Sequence, residues 1–520
     1  MQLKNFIKFT LPLLAISLSA CDQQVIFKSK SYADIRINSN RGNSVETIDP
    51  SEYTLARTIS NVEPYTLQNR ALLPSSGNIN LLIVPVILPG YEMVDINNDG
   101  QDDKDQVRTD ILSTFFKENE KTGFKTVYDY YKQASFGALN LVGTITPWVD
   151  LSKNTQISKQ NPNELTKDYT YTVVKEVVKS LTNLGYKMTN YDFNTDGYID
   201  GIYIINTATS GTSSGDFDVA SSLTSWANNS YYDSSETLAK ADKSNPVPSC
   251  FAWSSFEKMY GSYENQVDSH EYIHEIGHML GLNDYSSDTE GYSPLGKVDM
   301  MDEKTGDLNS YSKMLLGWSR PYYAIGSCTL RLNAATNKHN FIVIPKDTAD
   351  METESFDPYS EFILIDLYTN EANNEIDSNK VLLNKIPTPK TIGIRVYHIN
   401  NTLYTLNNNE GSKSVSVYQN EELKEGMYFA TPITNNTKED IYNKEYGLSS
   451  SVATYDEIRL IEANGNDTFS PYGNLTSESL FDERDLFDIK NYKSFFENGY
   501  LDFGDAFTTT IEITAIYDKR

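Results

Sequence analysis

The apolar positions along the chain fall into two regimes. From residue 79 to about 205, compact apolar runs alternate with amphipathic stretches. Ile79-Asn80-Leu81-Leu82-Ile83-Val84-Pro85-Val86 has the density of a buried strand. Val107 to Glu120 and Val127 to Ala134 carry helical spacing, whereas Leu139 to Ile145 and Gly201 to Ile205 read as strands. Tyr171 to Leu184 places Val173, Val174, Val177, Val178 and Leu181 at intervals of three and four, an amphipathic helix. After Trp318 the helical period fades. Runs rich in β-branched and aromatic residues recur there between polar turns, at Glu361 to Leu367, Gly393 to Ile399, Ser414 to Tyr418, Glu457 to Ile461 and Thr508 to Tyr517. The pattern predicts an α+β chain: a mixed domain over residues 78–320, then an antiparallel β-sandwich-type domain over 321–520. Residues 22 to about 77 are polar without a sustained period and read as a tether or pro-segment.

The first residues change this picture only in location. Lys4 and Lys8 precede a short apolar core, Leu11 to Leu18, which is too short to span a bilayer as a mature helix. Leu18-Ser19-Ala20-Cys21 resembles the lipobox of bacterial lipoproteins. That implies a signal peptide over residues 1–20, lipidation at Cys21 and an extracytoplasmic, membrane-anchored protein, with a plain secretory signal as the alternative. The chain carries 71 acidic against 44 basic residues, a formal charge of −27. Such a surface repels nucleic acid and suits hard cations such as calcium. Beyond Cys21 only Cys250 and Cys328 remain, enough for one disulfide if they meet. A monomer is expected.

The candidate chemistry lies in His270-Glu271-Tyr272-Ile273-His274-Glu275-Ile276-Gly277-His278-Met279-Leu280-Gly281-Leu282-Asn283-Asp284. Helical residues four apart share a face, so His274 and His278 present two imidazoles to one metal, most naturally zinc. Glu275 stands where its carboxylate serves as general base toward water. Gly281 can end the helix in a left-handed conformation and turn the chain back. Asp284 then arrives six residues after His278, where the longer zincin pattern, which this stretch resembles, places its third ligand. Asp288 and Glu290 are the neighbouring alternatives. Three of the chain's five histidines lie within this stretch, which weighs against a chance match. His270, one turn before His274, reads as a helix-face residue behind the ligands. Downstream, Asp299-Met300-Met301-Asp302 offers a methionine turn beneath the metal, with Met301 as its methionine.

Four stretches together resemble M6-type metallopeptidases, the immune inhibitor A family. They are Val127-Tyr128-Asp129-Tyr130-Tyr131 through Ser135-Phe136-Gly137, His274 to Asp284, Asp299-Met300-Met301, and Tyr311-Ser312-Lys313-Met314-Leu315-Leu316-Gly317-Trp318. Weaker similarity continues at Ser360 to Leu364 and Gly393 to Ile399. The resemblance implies a metzincin-like zincin catalytic domain followed by a β-rich domain. It further implies secreted proteolysis of protein or peptide substrates, with His274, His278 and Asp284 as zinc ligands. The chain departs from the family at Val298, where a Trp is usual, at Asp302, where a small residue is common, and at Asp366-Leu367.

Two further segments carry oxygen donors at alternating positions ahead of a Gly. One is Asp192, Asn194, Asp196 and Asp200; the other is Asp95, Asn97 and Asp99. Each reads as a calcium loop or as an Asx turn between elements, and position 12 of the first is Tyr203 rather than the Glu of an EF-hand. No phosphate loop, nucleophile elbow or dinucleotide fingerprint is present. A zinc endopeptidase is therefore expected, against the alternative of an inactive surface adhesin on the same fold.

Overall fold

A computed structural model describes residues 31–40, 47–62, 70–97, 99–116, 122–157, 167–210, 219–227, 240–286, 293–334, 340–346, 355–379, 388–401, 404–409, 412–417, 429–430, 457–465, 473–488 and 509–518. The chain is mixed, with several sheets and few helices, as an α+β class requires. Residues 1–20, Cys21, Asp288 and Glu290 lie outside the described residues.

The first large sheet has the order Leu139–Ile145, Gly77–Ile87, Ile202–Asn206, Cys250–Ser255, Leu223–Trp226, with Val149–Asp150 also pairing Gly77–Ile87. Its strands run parallel except the edge strand Leu223–Trp226, which is antiparallel to Cys250–Ser255. Gly77–Ile87 shows why the run was continuously apolar. Its side chains alternate between two cores, Ile79, Leu81 and Ile83 on one face and Leu82, Val84 and Val86 on the other. The helix Lys167–Asn183 covers the second face with Val173, Val174, Val177 and Leu181. The first face carries the helices Lys104–Phe115, Val127–Ala134 and His270–Met279.

The later strands build two sheets. Six strands run in the order Thr47–Ile48, Tyr322–Ala324, Phe341–Pro345, Glu361–Tyr368, Gly393–Asn400, Ile458–Ile461. Four run in the order Cys328–Asn333, Tyr32–Ser39, Thr509–Tyr517, Leu486–Asp488. Within Glu361–Tyr368, Phe362 and Leu364 join the core that contains the His270–Met279 helix, while Ile363, Ile365 and Leu367 join a separate core with Ile35, Ile37 and Ile511. The first core is thus continuous across residue 320, and the His270–Met279 helix sits in apolar packing shared by both six-stranded sheets.

The tether reading of residues 22–77 does not hold for the part described. Tyr32–Ser39 is a strand between Cys328–Asn333 and Thr509–Tyr517. Ala33, Ile35 and Ile37 are buried, while Arg36 pairs with Glu512 at 3.0 Å and Asp34 with Arg331 at 2.7 Å. Thr47–Ile48 and Thr54–Leu55 pair with later strands too. Cys250 and Cys328 are not joined to each other: Cys250 lies deep in the first core and Cys328 on a strand of the four-stranded sheet.

Candidate metal centre

The His270–Met279 helix ends where its sequence dictates. Gly281 adopts φ +101°, Leu282 N–H bonds the Gly277 carbonyl at 3.1 Å and Gly281 N–H bonds the His278 carbonyl at 2.8 Å. This is a Schellman cap, and a glycine is needed at its left-handed position. The reversal carries Asp284 back under the helix. The next residue is then fastened, Tyr285 N–H donating to the Met301 carbonyl at 2.9 Å.

Three ligand atoms converge there. His274 Nε2 and His278 Nε2 are 3.1 Å apart, and Asp284 Oδ1 lies 3.2 Å from the first and 3.3 Å from the second. Among the described residues this is the group of histidine and acidic side chains placed to hold a metal. The other ring nitrogens are already used. His274 Nδ1 is 2.9 Å from the Met300 carbonyl and His278 Nδ1 is 2.8 Å from the Leu282 carbonyl. A carbonyl only accepts, so each Nδ1 carries the hydrogen and each Nε2 turns a lone pair toward the shared point. Zinc fits this donor set: bonds of about 2.0–2.1 Å at tetrahedral angles put ligand atoms roughly 3.3 Å apart. The side chains of His274, His278 and Asp284 are 7, 18 and 35% exposed, so the cluster opens to solvent on its aspartate side. A cation is favoured electrostatically. Burial opposes charge on His278, yet Asp284 outweighs it and raises that pKa to about 9. Burial would also raise Asp284, but His278 and His274 hold it well below the carboxylate range.

Glu275 is buried on the same helix, and burial raises its pKa while His278 and His274 pull it down. Its Oε2 accepts from Thr224 Oγ1 at 2.7 Å, on the edge strand Leu223–Trp226. The sequence reading did not find Thr224. Its four-residue strand carries too few apolar residues to stand out from its polar surroundings.

Met301 lies beneath the helix: a Cβ on Gly277 would be 2.4 Å from its sulfur. Asp299 holds this turn, accepting Met301 N–H at 2.7 Å and the Asn309 main chain and side chain at 2.7 and 2.9 Å. The divergent acids are absorbed by packing. Asp302 accepts from Ser293 Oγ and Lys297 N–H, both at 2.9 Å, with burial pushing its pKa up to about 8. Asp366 forms a buried two-pronged pair with Arg395 at 2.7 and 2.8 Å.

His270 does not reach the cluster. Its Nδ1 lies 2.6 Å from Asp268 and its Nε2 3.2 Å from Asp377 of the helix Asn373–Asn379, its ring stacked on Phe124. Glu271 meets Lys304 at 2.7 Å.

The two acidic loops share one conformation. Asp95 accepts Asp99 and Gly100 N–H at 3.1 and 2.8 Å, and Asp192 accepts Asp196 and Gly197 N–H, both at 3.1 Å. Asn97 and Asn194 accept the same amide as the acid before them, Asp99 N–H and Asp196 N–H. Asp200 caps Phe193 N–H at 2.5 Å, and burial raises its pKa to about 7. These are Asx-turn contacts, and their carboxylates are absent from the converging group found at His274. Among the described residues no helix is long and apolar enough to cross a membrane. No model of a known protein family matches the chain, and no curated protein matches it.

Proposed function

We propose that the protein is a zinc metalloendopeptidase on a zincin fold, its later sheets forming a sandwich-type domain, anchored outside the cytoplasm through a lipid on Cys21. One observation carries the activity. Two imidazole nitrogens and a carboxylate oxygen lie 3.1–3.3 Å apart, with both histidine tautomers set by main-chain carbonyls and a buried glutamate beside them. His274, His278 and Asp284 hold the metal, which supplies Lewis acidity to a carbonyl oxygen and raises the acidity of water. Glu275 takes a proton from water as the oxygen adds to the scissile carbonyl, then returns it to the leaving amine. Among the described residues the edge strand Leu223–Trp226 pairs with no strand on its outer side, and it offers amides and carbonyls there to an extended peptide. Met301 and the Asp299 turn keep the floor of the site fixed. The loops at Asp95 and Asp192 are secondary candidates for calcium.

The test is cleavage of unfolded casein by the ectodomain from residue 22 and by its Glu275→Ala variant, with zinc quantified in both. Cleavage by the wild type alone, with zinc in both, supports the peptidase and its base. Zinc without cleavage in either favours an inactive adhesin, and no zinc in either refutes the assignment.

A further inference from the structure

We propose that Thr224 is the positioning residue of the general base, its hydroxyl fixing the Glu275 carboxylate for proton transfer; this rests on the peptidase reading above. Thr224 Oγ1 lies 2.7 Å from Glu275 Oε2 and 2.9 Å from the main-chain oxygen of the same residue. The hydroxyl has one hydrogen for these two acceptors. The carboxylate is nearer and charged, and charge-assisted hydrogen bonds are the stronger ones, so Oε2 receives it.

The contact joins two elements. Thr224 is held by pairing with Ala252 in the sheet, while Glu275 belongs to the helix that carries both histidines. A glutamate has three side-chain torsions, and this bond removes the freedom of the last ones. Among the described residues Oε1 accepts no hydrogen bond, which leaves that oxygen for the reaction. The O–H bond of water breaks, its proton passes to Glu275, and its oxygen bonds the carbonyl carbon. Glu275 then gives that proton to the amine nitrogen as the C–N bond breaks, and the carboxylate is restored. While Glu275 carries the proton on Oε1, Oε2 remains a carbonyl-type acceptor and keeps the Thr224 hydrogen. The hydroxyl is satisfied in both states, so the base cycles without losing its anchor.

Thr224→Val keeps the shape and deletes the hydroxyl; Thr224→Ser keeps the hydroxyl. Each ectodomain variant is assayed for zinc content and for kcat and KM on an internally quenched peptide that the wild type cleaves. Thr224→Val is expected to retain zinc and KM while kcat falls about 10- to 100-fold, the usual effect of removing an orienting partner, and Thr224→Ser to recover most of it. Should valine cost the fold, seen as lost zinc, Thr224→Ala supplies the same comparison. An unchanged kcat without the hydroxyl, a loss confined to KM, or a serine variant as impaired as the valine one overturns the inference and leaves the peptidase standing. A zinc-loaded wild type that cleaves nothing overturns both.

Discussion

His270 lies between two carboxylates in a site closed to water. Burial alone would strip its charge, but Asp268 and Asp377 outweigh that and raise its pKa from 6.5 to about 9. A histidine held above its unfolded value stabilises the fold fully below about 6.5, and that contribution disappears as the pH rises through about 9. His270→Gln is therefore expected to be less stable than the wild type by a few kcal/mol. The gap in unfolding free energy should be widest at about pH 6.5 and shrink as the pH rises from there to about 9. A gap constant across that range would mean that the ring works by shape rather than charge. The same residue marks what a sequence withholds. Placing His270 behind the ligands followed from its position one turn before His274. Asp377, its partner 107 positions away, left no signal, because nothing local links a helix start to a polar residue on a later helix.

At the scale of elements, the convergence of His274, His278 and Asp284 was legible because its geometry is local. Four-residue spacing aligns the imidazoles, and Gly281 sets where the helix stops and hence where Asp284 arrives. Gly281→Ala tests that dependence. A Cβ there would lie 2.3 Å from Ile59 Cγ2 and 3.0 Å from Leu72 Cδ1, at φ +101°. Strain and overlap each cost about 1–3 kcal/mol, so thermal denaturation should show a large drop in stability. Zinc affinity, read by chelator competition, should fall with it, since relief of the clash moves Asp284. Unchanged affinity in a folded variant would show that the cap does not position the ligand. The edge strand Leu223–Trp226 escaped notice for the converse reason: its role comes from sheet pairing with Cys250–Ser255 and a hydroxyl across to the helix. The strand at Tyr32–Ser39 is a different case. Ala33, Ile35 and Ile37 alternate with Asp34, Arg36 and Asn38 in the period of a half-buried strand, a signal masked by the polar residues around it.

At the scale of the whole molecule, that strand decides whether the N-terminal segment can be a removable pro-segment. It lies between Cys328–Asn333 and Thr509–Tyr517, so its loss leaves two strands with no common neighbour and uncovers Leu332, Ile511 and Ile513. Further along, Leu73 N–H bonds the Met279 carbonyl at 2.9 Å, the Trp226 indole donates to the Ala71 carbonyl at 2.9 Å, and Arg70 stacks on Trp226 at 4.3 Å. The segment therefore ties the last sheet, the end of the His270–Met279 helix and the edge strand to one another. Removal up to residue 46 would expose unpaired strand edges, which promote aggregation. By contrast, residues 22 to 30 precede the first described strand and span at most roughly 30 Å, so as a tether they would keep the body close to a membrane. Two deletions separate these roles. An ectodomain beginning at residue 31 is expected to match the one beginning at residue 22 in melting temperature and casein cleavage. One beginning at residue 47 is expected to melt well below both or to precipitate. If the shorter protein instead stayed folded and cleaved faster, the segment would be an inhibitory cover, and its strand a pairing the fold can spare.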